Sequence, residues 1–218
     1  MATGGHVKAL LSLGLHDPNI IGRPNVVTTL MEDTSGPWME YFAHKEARDQ
    51  QGQFMADAYL SLIKGRTIIA EAPTGLGKTA ASLASALAAM KQSENVKKIL
   101  FLTGRQSQHK IVIDTVRKLN DNRKDHPNVA IVDLIGRESM CGKLTIDRQC
   151  FCEEGVSEKA RGGRRSQLKR WILEWPRHVE ETVKNGRIEG TCPYMCCIEA
   201  AREAEIIVMD YNHVFVES

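Results

Sequence analysis

The sequence predicts an α/β fold with a parallel sheet, and three observations lead to this prediction. Short apolar segments alternate with longer segments of helical periodicity, as in chains whose parallel strands are connected by helices. A glycine-rich loop that ends in Gly-Lys-Thr follows the first of these apolar segments. A cysteine-rich stretch interrupts the alternation before the last one. The chain is therefore expected to combine a parallel sheet with an inserted subdomain.

Each element is expected from a local pattern. The start of the chain is rich in turn residues, and only a short helix over residues 7–13 is expected there. Apolar residues at helical spacing predict helices over residues 48–62, 78–90, 107–119 and 193–204. Compact apolar runs predict strands at residues 67–70, 98–103, 129–135 and 205–210, the first of them buried.

The order of these elements divides the chain into parts. Residues 1–38 form an N-terminal extension, and residues 39–136 form the first part of the sheet domain. Residues 137–192 form the cysteine-rich insert, after which residues 193–218 return to the sheet domain. The insert is therefore expected to interrupt the sheet rather than to follow it.

Composition limits the classes of protein to which the chain can belong. With 218 residues, 42% of them hydrophobic, it is long and apolar enough for a real core. Its net charge of +2 is too small for a global attraction to nucleic acid, so any DNA contact requires a local basic patch. No apolar run is long enough to span a membrane, and no signal peptide is visible. The six clustered cysteines favour a reducing compartment, the cytoplasm of a prokaryote or the nucleus of a eukaryote, over secretion.

The loop after the first predicted strand has the composition of a phosphate-binding loop, although Ala72 replaces the first glycine of the usual Walker A pattern. Glycines allow backbone N–H groups to turn towards a phosphate, and the following helix adds the partial positive charge of its N-terminus. Lys78 would contact the β- and γ-phosphates of ATP, and the Thr79 hydroxyl would bind Mg²⁺. A chance glycine-rich turn is the alternative. The residues predicted to bind the nucleotide are Ala72, Pro73, Thr74, Gly75, Leu76, Gly77, Lys78 and Thr79.

Segments on both sides of this loop resemble those of the XPD/DinG group of superfamily 2 DNA helicases. Residues 71–79 resemble motif I of this group, and residues 103–108 are similar to motif Ia except at Gly104 and Arg105. Gln51 matches the glutamine that reads the adenine base in this group. The other similar segments are residues 41–51, 134–141, 192–194 and 204–212.

The resemblance implies that the chain is the N-terminal part of an ATP-dependent DNA helicase. It implies a RecA-like P-loop NTPase sheet with an iron–sulfur insert, and movement from 5′ to 3′ along single-stranded or forked DNA. Lys78 and Thr79 would be catalytic. The DEAH box of the family is expected after Ser218, because the run from Asp210 to His213 lacks its glutamate, so the chain alone is expected to be inactive. The pathway, whether DNA repair, transcription or replication, and the protein partners stay open.

The cysteines follow the order in which this group of helicases binds a 4Fe–4S cluster, with one cysteine, a close pair, and one before Pro-Tyr. The insert would then act as a wedge beside the point of strand separation. The alternatives are replacement of one ligand by Cys196 or Cys197, a Zn²⁺ site that uses Cys192 and Cys196, and buried thiols without a metal. The ligands that the resemblance implies are Cys141, Cys150, Cys152 and Cys192.

The insert also carries a basic run with two tryptophans beyond it. Lys and Arg side chains neutralise phosphates and aromatic rings stack on bases, which is how proteins bind single strands without sequence preference. The alternatives are a solvated helix face and tryptophans, Trp171 and Trp175, that pack the insert. The basic residues are Lys159, Arg161, Arg164, Arg165, Lys169 and Arg170.

The sequence leaves other functions open. A helicase fused to a nuclease would have its distinguishing domain outside these residues. A non-catalytic nucleic-acid-binding module would retain the P-loop as a nucleotide switch, together with a zinc or iron–sulfur site. ATP hydrolysis that DNA stimulates distinguishes a helicase from such a module.

Overall fold

The structure, a computed structural model, describes residues 8–12, 35–94, 96–141 and 152–215. The chain forms two compact units, residues 1–97 and residues 98–218. The elements of unit 1 are β1 (Lys8–Ser12), a 3₁₀ helix (Pro37–Tyr41), α1 (Asp49–Ile63), β2 (Thr67–Glu71) and α2 (Lys78–Gln92). The elements of unit 2 are β3 (Ile99–Thr103), α3 (Gln106–Asn122), β4 (Ile131–Leu134), α4 (Arg137–Met140), α5 (Glu158–Glu174), α6 (Val179–Ile188), α7 (Pro193–Glu203), β5 (Ile206–Asp210) and α8 (Asn212–Phe215). No helix in the described part of the chain combines the length and the apolar composition that crossing a bilayer requires.

Unit 1 is built around the packing of α1 on α2. Alanines form much of the buried face of α2, and their small side chains let the two helices approach closely. The buried Ser85 hydroxyl donates a hydrogen bond of 2.9 Å to the carbonyl oxygen of Met55 across this contact. Trp38 of the 3₁₀ helix packs on α1, with its ring centroid 5.3 Å from that of Tyr59. Helix α2, which begins directly after the glycine-rich loop, is thereby anchored on α1.

The strand before the glycine-rich loop differs from the prediction. β2 pairs antiparallel with β1, so the predicted helix over residues 7–13 is wrong and a strand occupies most of it. β2 is not buried either, because Ile68 is half-buried and Ile69 is 58% exposed. A pair of strands that packs on one side produces this alternation, which the apolar run of the sequence does not reveal. The rest of the predicted extension, residues 1–7 and 13–34, lies outside the described residues.

The predicted parallel sheet is present in unit 2. Its strands lie in the order β3–β5–β4, and both pairs are parallel, with Phe101 opposite Val208 and Val132 opposite Ile207. β4 is buried along its length, as expected for a parallel strand that is covered on both faces. Because β5 is the last of these strands in the chain and lies between the other two, β3 and β4 are joined only when it returns to the sheet.

The insert shares its hydrophobic core with this sheet. Helices α5 and α6, which the sequence does not predict, lie between β4 and β5 in the chain. Leu168 and Ile172 of α5 pack in one cluster with Leu134 of β4 and with Cys196 and Ala200 of α7. The predicted elements flanking the insert, including α3, α7, β4 and β5, begin and end within three residues of their predicted limits. The sheet and the described helices of the insert therefore share one hydrophobic core within unit 2.

A buried carboxylate ties three elements of unit 2 together. Asp133 lies on β4, and its side chain and that of His109 on α3 are each 2% exposed. The Nδ1 atom of His109 is 2.6 Å from Oδ1 of Asp133, and the N–H group of Val179 donates to Oδ2 at 2.9 Å. Val179 begins α6, where a carboxylate also interacts favourably with the helix dipole. Asp133 therefore fixes the start of α6 against the sheet and α3.

Replacing Asp133 with alanine should destabilise unit 2. The change leaves the buried His109 ring and the Val179 N–H group without their acceptor, which costs about 3 kcal/mol of unfolding free energy. Urea unfolding of the purified chain measures this loss. Asp121→Ala, an exposed position near the end of α3, is the matched control and should stay within about 0.5 kcal/mol of the wild type. Equal stabilities of the two variants would show that the contacts of Asp133 contribute nothing to the free energy of unfolding.

Candidate functional site

The glycine-rich loop connects β2 to α2 through a turn that requires glycine. Gly75 and Gly77 both have φ of +82°, in the left-handed region that other residues rarely adopt. A Cβ atom on Gly77 would also lie 2.5 Å from Nε2 of Gln51, so a side chain there would displace the Gln51 amide. Leu76 is buried, whereas Pro73 and Thr74 are exposed. The loop is thus anchored by one side chain and leaves its backbone accessible.

Two cationic side chains contact this loop. The Lys78 ammonium group donates hydrogen bonds of 3.0 and 2.9 Å to the carbonyl oxygens of Ala72 and Pro73. Arg48 donates from Nη1 to the carbonyl oxygen of Gly75 at 2.8 Å. Thr79 follows in the first turn of α2, where helix N–H groups have no intrahelical acceptor. The predicted nucleotide-binding residues therefore lie together, with positive charge and backbone donors at one end of α2, an arrangement suited to an anion.

Gln51 is buried beneath the same loop. Its side chain donates from Nε2 to the carbonyl oxygen of Gly77 at 3.3 Å and accepts a hydrogen bond of 3.4 Å from the N–H group of Arg48. These contacts give Gln51 a part in holding the loop, which the sequence does not predict. Its contact with an adenine base stays a prediction. Arg48 is the residue in this region whose loop contact sequence reasoning missed, although it lies in the segment that resembles the helicases.

Three of the four predicted cluster ligands lie in described parts of unit 2, and Cys150 lies outside them. The sulfur atoms of Cys141 and Cys152 are 3.3 Å apart, too far for the S–S bond of about 2.05 Å. Cys192 is 2% exposed at the start of α7. Among the described residues, no three His, Cys, Asp or Glu side chains form a complete metal site.

A cavity of about 290 Å³ is lined by Cys152 and by neighbours in sequence of Cys141 and Cys192. Cys152 lines it, together with Met140, which precedes Cys141, and with Thr191 and Pro193 on either side of Cys192. Thiolates are the soft ligands that iron–sulfur clusters and zinc prefer. A cavity bordered by three cysteine-bearing segments fits a sulfur-ligated metal group, with Cys150 as the expected further donor.

Glu153 connects two of these segments. Its Oε1 atom accepts hydrogen bonds from the Thr191 hydroxyl at 2.7 Å and from the Cys192 N–H group at 3.1 Å. Arg165 donates to both carboxylate oxygens, with 2.8 Å between its Nε and Oε1. Burial raises the pKa of Glu153, but the hydrogen bonds from Arg165, Thr191 and Cys192 outweigh it and lower the pKa to about 2. In the sequence, the only sign of this contact is that Glu153 directly follows Cys152 and Thr191 directly precedes Cys192.

The remaining cysteines behave as core residues. Cys196 and Cys197 are at most 1% exposed and belong to the hydrophobic cluster of unit 2. Burial raises the pKa of Cys196 to about 12, and burial likewise raises the pKa of Cys197 well above its usual range. The Cys197 sulfur is 3.9 Å from the carbonyl oxygen of Asp133. Both thiols are therefore packed in the core of unit 2, and whether either replaces a cluster ligand stays a prediction.

Helix α5 carries the basic run, and its charges do not all face outwards. Arg165 contacts Glu153 and Glu199, and Lys169 pairs with Glu203 at 2.8 Å. Arg161 and Arg164 donate to the carbonyl oxygens of Val156 and Gly190, respectively. Lys159 and Arg170 are exposed. Trp171 packs against the hydrophobic cluster with the Arg177 guanidinium 4.1 Å from its ring centroid, and Trp175 is half-buried.

The segment that resembles motif Ia departs from the usual pattern at Gly104, and the structure gives a reason for a small residue there. Gly104 follows β3, and a Cβ atom there would lie 3.1 Å from Cε1 of Tyr211. The N–H group of Tyr211 donates to the carbonyl oxygen of Thr103 at 3.1 Å, which holds the two segments together. A small residue at position 104 therefore accommodates the Tyr211 ring. Asp210 accepts a hydrogen bond of 2.8 Å from the N–H group of Asn212, a local turn contact.

Comparison with known proteins agrees with the α/β fold and with the phosphate-binding loop. The DEAD/DEAH box helicase family matches residues 49–144, and the DEAD_2 family matches residues 101–218. A solved XPD helicase is similar over 80% of this chain, with 21% identity and a TM-score of 0.50, which shows the RecA-like helicase fold. A truncated XPD aligns with 75% of the chain at 19% identity and a TM-score of 0.47, over 45% of its own length. The chain spans 29% of the length of the XPD helicase, and no curated protein matches it.

Proposed function

Because the chain belongs to the DEAD_2 family of XPD-like superfamily 2 helicases, we propose that it is the nucleotide-binding part of a DNA helicase that moves from 5′ to 3′ on single-stranded or forked DNA. The family accounts for the use of ATP and Mg²⁺ and for the binding of nucleic acid. The choice of DNA, the direction and the iron–sulfur cluster are parts of the proposal. A cytoplasmic location in a prokaryote, or a nuclear one in a eukaryote, accompanies it.

The observation that carries the ATP-binding part of this proposal is the position of Lys78. Its ammonium group lies across the loop, close to the carbonyl oxygens of Ala72 and Pro73, where an anion bound by the loop would meet it. The Thr79 hydroxyl, one residue further into α2, would hold Mg²⁺ against the phosphates. Gln51 would read the adenine base while it supports Gly77 from below.

The cysteine site supports the second part of the proposal. Cys152 lines the cavity, Cys141 and Cys192 adjoin residues that line it, and together with Cys150 these cysteines would hold a 4Fe–4S cluster. When bound, the cluster would supply iron–thiolate bonds that join segments of the insert that are distant in sequence. The chain's own contacts orient these segments, since α5 and α7 pack on the sheet and Glu153 bridges towards Cys192. The insert would then stand as a firm wedge where the strands of DNA separate.

The experiment that tests the function uses the full-length protein. Single-stranded DNA should stimulate its ATP hydrolysis, and unwinding of a forked duplex should require a 5′ single-stranded tail. A 3′-tailed duplex of the same sequence is the control for direction. Nucleotide binding without DNA-stimulated turnover would instead identify a non-catalytic module that uses the P-loop as a switch.

Replacing Lys78 with alanine should remove nucleotide binding by this chain. The phosphates lose a charge-assisted hydrogen bond, so ATP affinity should fall by about 30-fold or more in isothermal titration calorimetry. Lys91→Ala, in the last turn of the same helix, removes the same charge far from the loop and should bind as the wild type does. We expect binding without measurable turnover, since the sequence contains no DEAH box. Robust hydrolysis by the purified chain would refute that expectation.

Anaerobically purified chain should be brown, with broad visible absorbance from sulfur-to-iron charge transfer. Cys141→Ser and Cys192→Ser should each lose the colour and the iron, because a hard oxygen replaces a soft thiolate poorly. Cys197→Ser is the control and should keep both, since Cys197 belongs to the core. Iron and zinc analysis decides the outcome, and a colourless protein with one zinc per chain would favour the zinc alternative.

The outward charges of α5 should contribute to DNA binding. Lys159 and Arg170 are exposed and lie about three helical turns apart, so they share a face. Their joint replacement with alanine should flatten the slope of log K against log salt by about 1.4, at about 0.7 per contact with a single strand. Binding to oligonucleotides of different sequence should weaken equally. Lys124→Ala with Arg202→Ala removes the same charge elsewhere in unit 2. An equal change of slope in that control would show that only the net charge of the protein matters, and that α5 does not contact the DNA.

A further inference from the structure

The carboxylate of Glu153 accepts four hydrogen bonds. Its side chain is 10% exposed, and its Oε1 atom alone accepts from Arg165 Nε, the Thr191 hydroxyl and the Cys192 N–H group. A buried carboxylate is stable only when such donors surround it. The fold therefore places this group with several partners at once, and two of those partners belong to the segment that carries Cys192.

The partners of Glu153 bring together parts of the chain that are distant in sequence. Thr191 and Cys192 lie 38 and 39 residues after Glu153, and Arg165 lies 12 residues after it on α5. Glu153 itself directly follows Cys152, whose sulfur is 3.3 Å from that of Cys141. The contact thus runs from the segment that bears one cysteine to the backbone amide of another. The side chain that follows Cys152 therefore contacts the backbone at Cys192.

From this geometry we propose that Glu153, held in place by Arg165, is a positioning residue that sets the backbone of Cys192 against the segment of Cys152. The inference rests on the proposed cluster site and adds residues to it that contact no metal. Without the bridge, the segments that carry Cys152 and Cys192 would have to be ordered by the metal itself, which weakens binding because their conformational entropy is then lost on ligation. Contacts that orient ligands in this way typically change metal affinity by about 10–100-fold.

A purely structural role would give a different pattern. Arg165 also lies 3.5 Å from Glu199, so the group could act only by holding α5 against α7. A second ion pair, Lys169 with Glu203, joins the same two helices without touching a cysteine segment. If Glu153 serves only helix packing, loss of either pair should have the same effect on the cysteine site. If Glu153 positions Cys192, replacement of Glu153 should change the cysteine site, and loss of the Lys169–Glu203 pair should not.

The test compares variants of the anaerobically purified 218-residue chain. Iron content and the rate at which a chelator removes the visible absorbance report the cluster, and hydrogen exchange of the Cys192 amide in cluster-free protein reports its position. Glu153→Ala should release iron about 10–100-fold faster than the wild type and exchange the Cys192 amide about tenfold faster. Glu203→Ala is the matched control and should resemble the wild type in both measurements.

A double variant separates the acceptor from the ion pair. Glu153→Gln with Arg165→Met keeps a carbonyl oxygen for Thr191 and Cys192 but removes both charges, so its iron release should lie closer to the wild type than to Glu153→Ala. If Glu153→Ala folds poorly, the double variant takes its place in the comparison with the wild type. Brown wild-type protein with equal iron release from Glu153→Ala and Glu203→Ala would overturn the positioning role alone. Wild-type protein without iron would overturn the cluster, and the positioning role with it.

Discussion

The pairing of β4 with β5 is the constraint on which the rest of unit 2 depends. The two strands are parallel neighbours, with Ile131 opposite Ile206 and Leu134 opposite Met209. Parallel neighbours need a crossover connection, and here the crossover is the whole of residues 135–205. It contains helices α4 to α7 and every cysteine of the chain. The sheet therefore fixes the two ends of the cysteine-bearing segment, because β4 precedes Cys141 and β5 follows Cys192 in the chain.

The carboxylates of Asp133, which is buried, and of Glu153, which is largely buried, each hold parts of this crossover together. Asp133 accepts from His109 and from the N–H group that begins α6, and Glu153 accepts from Arg165 and from the N–H group of Cys192. Burying a carboxylate without donors costs several kcal/mol, so an alternative packing of α6 or of the Cys192 segment that lost these donors would be strongly disfavoured. Apolar contacts alone are less selective, because a hydrophobic cluster tolerates small shifts of its helices. The polar contacts thus convert a hydrophobic crossover into a defined site.

The sequence predicts those features that depend on local periodicity. Helices α2 and α3 and strands β3 and β5 follow from apolar spacing, and the glycine-rich loop follows from its residues because the chemistry of a phosphate requires them at that spacing. The β1–β2 pair does not follow, since an antiparallel partner tens of residues away leaves no local trace and Ile68-Ile69 alone resembles a buried strand. The same reason hides Glu153, whose partners lie 12, 38 and 39 residues further along the chain. Long-range polar contacts are the part of a site that a single sequence conceals.

Helix α5 shows how a run of like charges can be misread. As a sequence, its Lys and Arg residues form one basic cluster, yet the structure divides them between faces of the helix. Arg165 and Lys169, one turn apart, face the acidic side chains of Glu153, Glu199 and Glu203, so their charge is neutralised within the protein. Counterion release on DNA binding depends only on cations that reach a phosphate, and the inward-facing pair can do so only by breaking these contacts. The number of phosphates that α5 can neutralise is therefore set by its outward face and is smaller than the count of its basic residues.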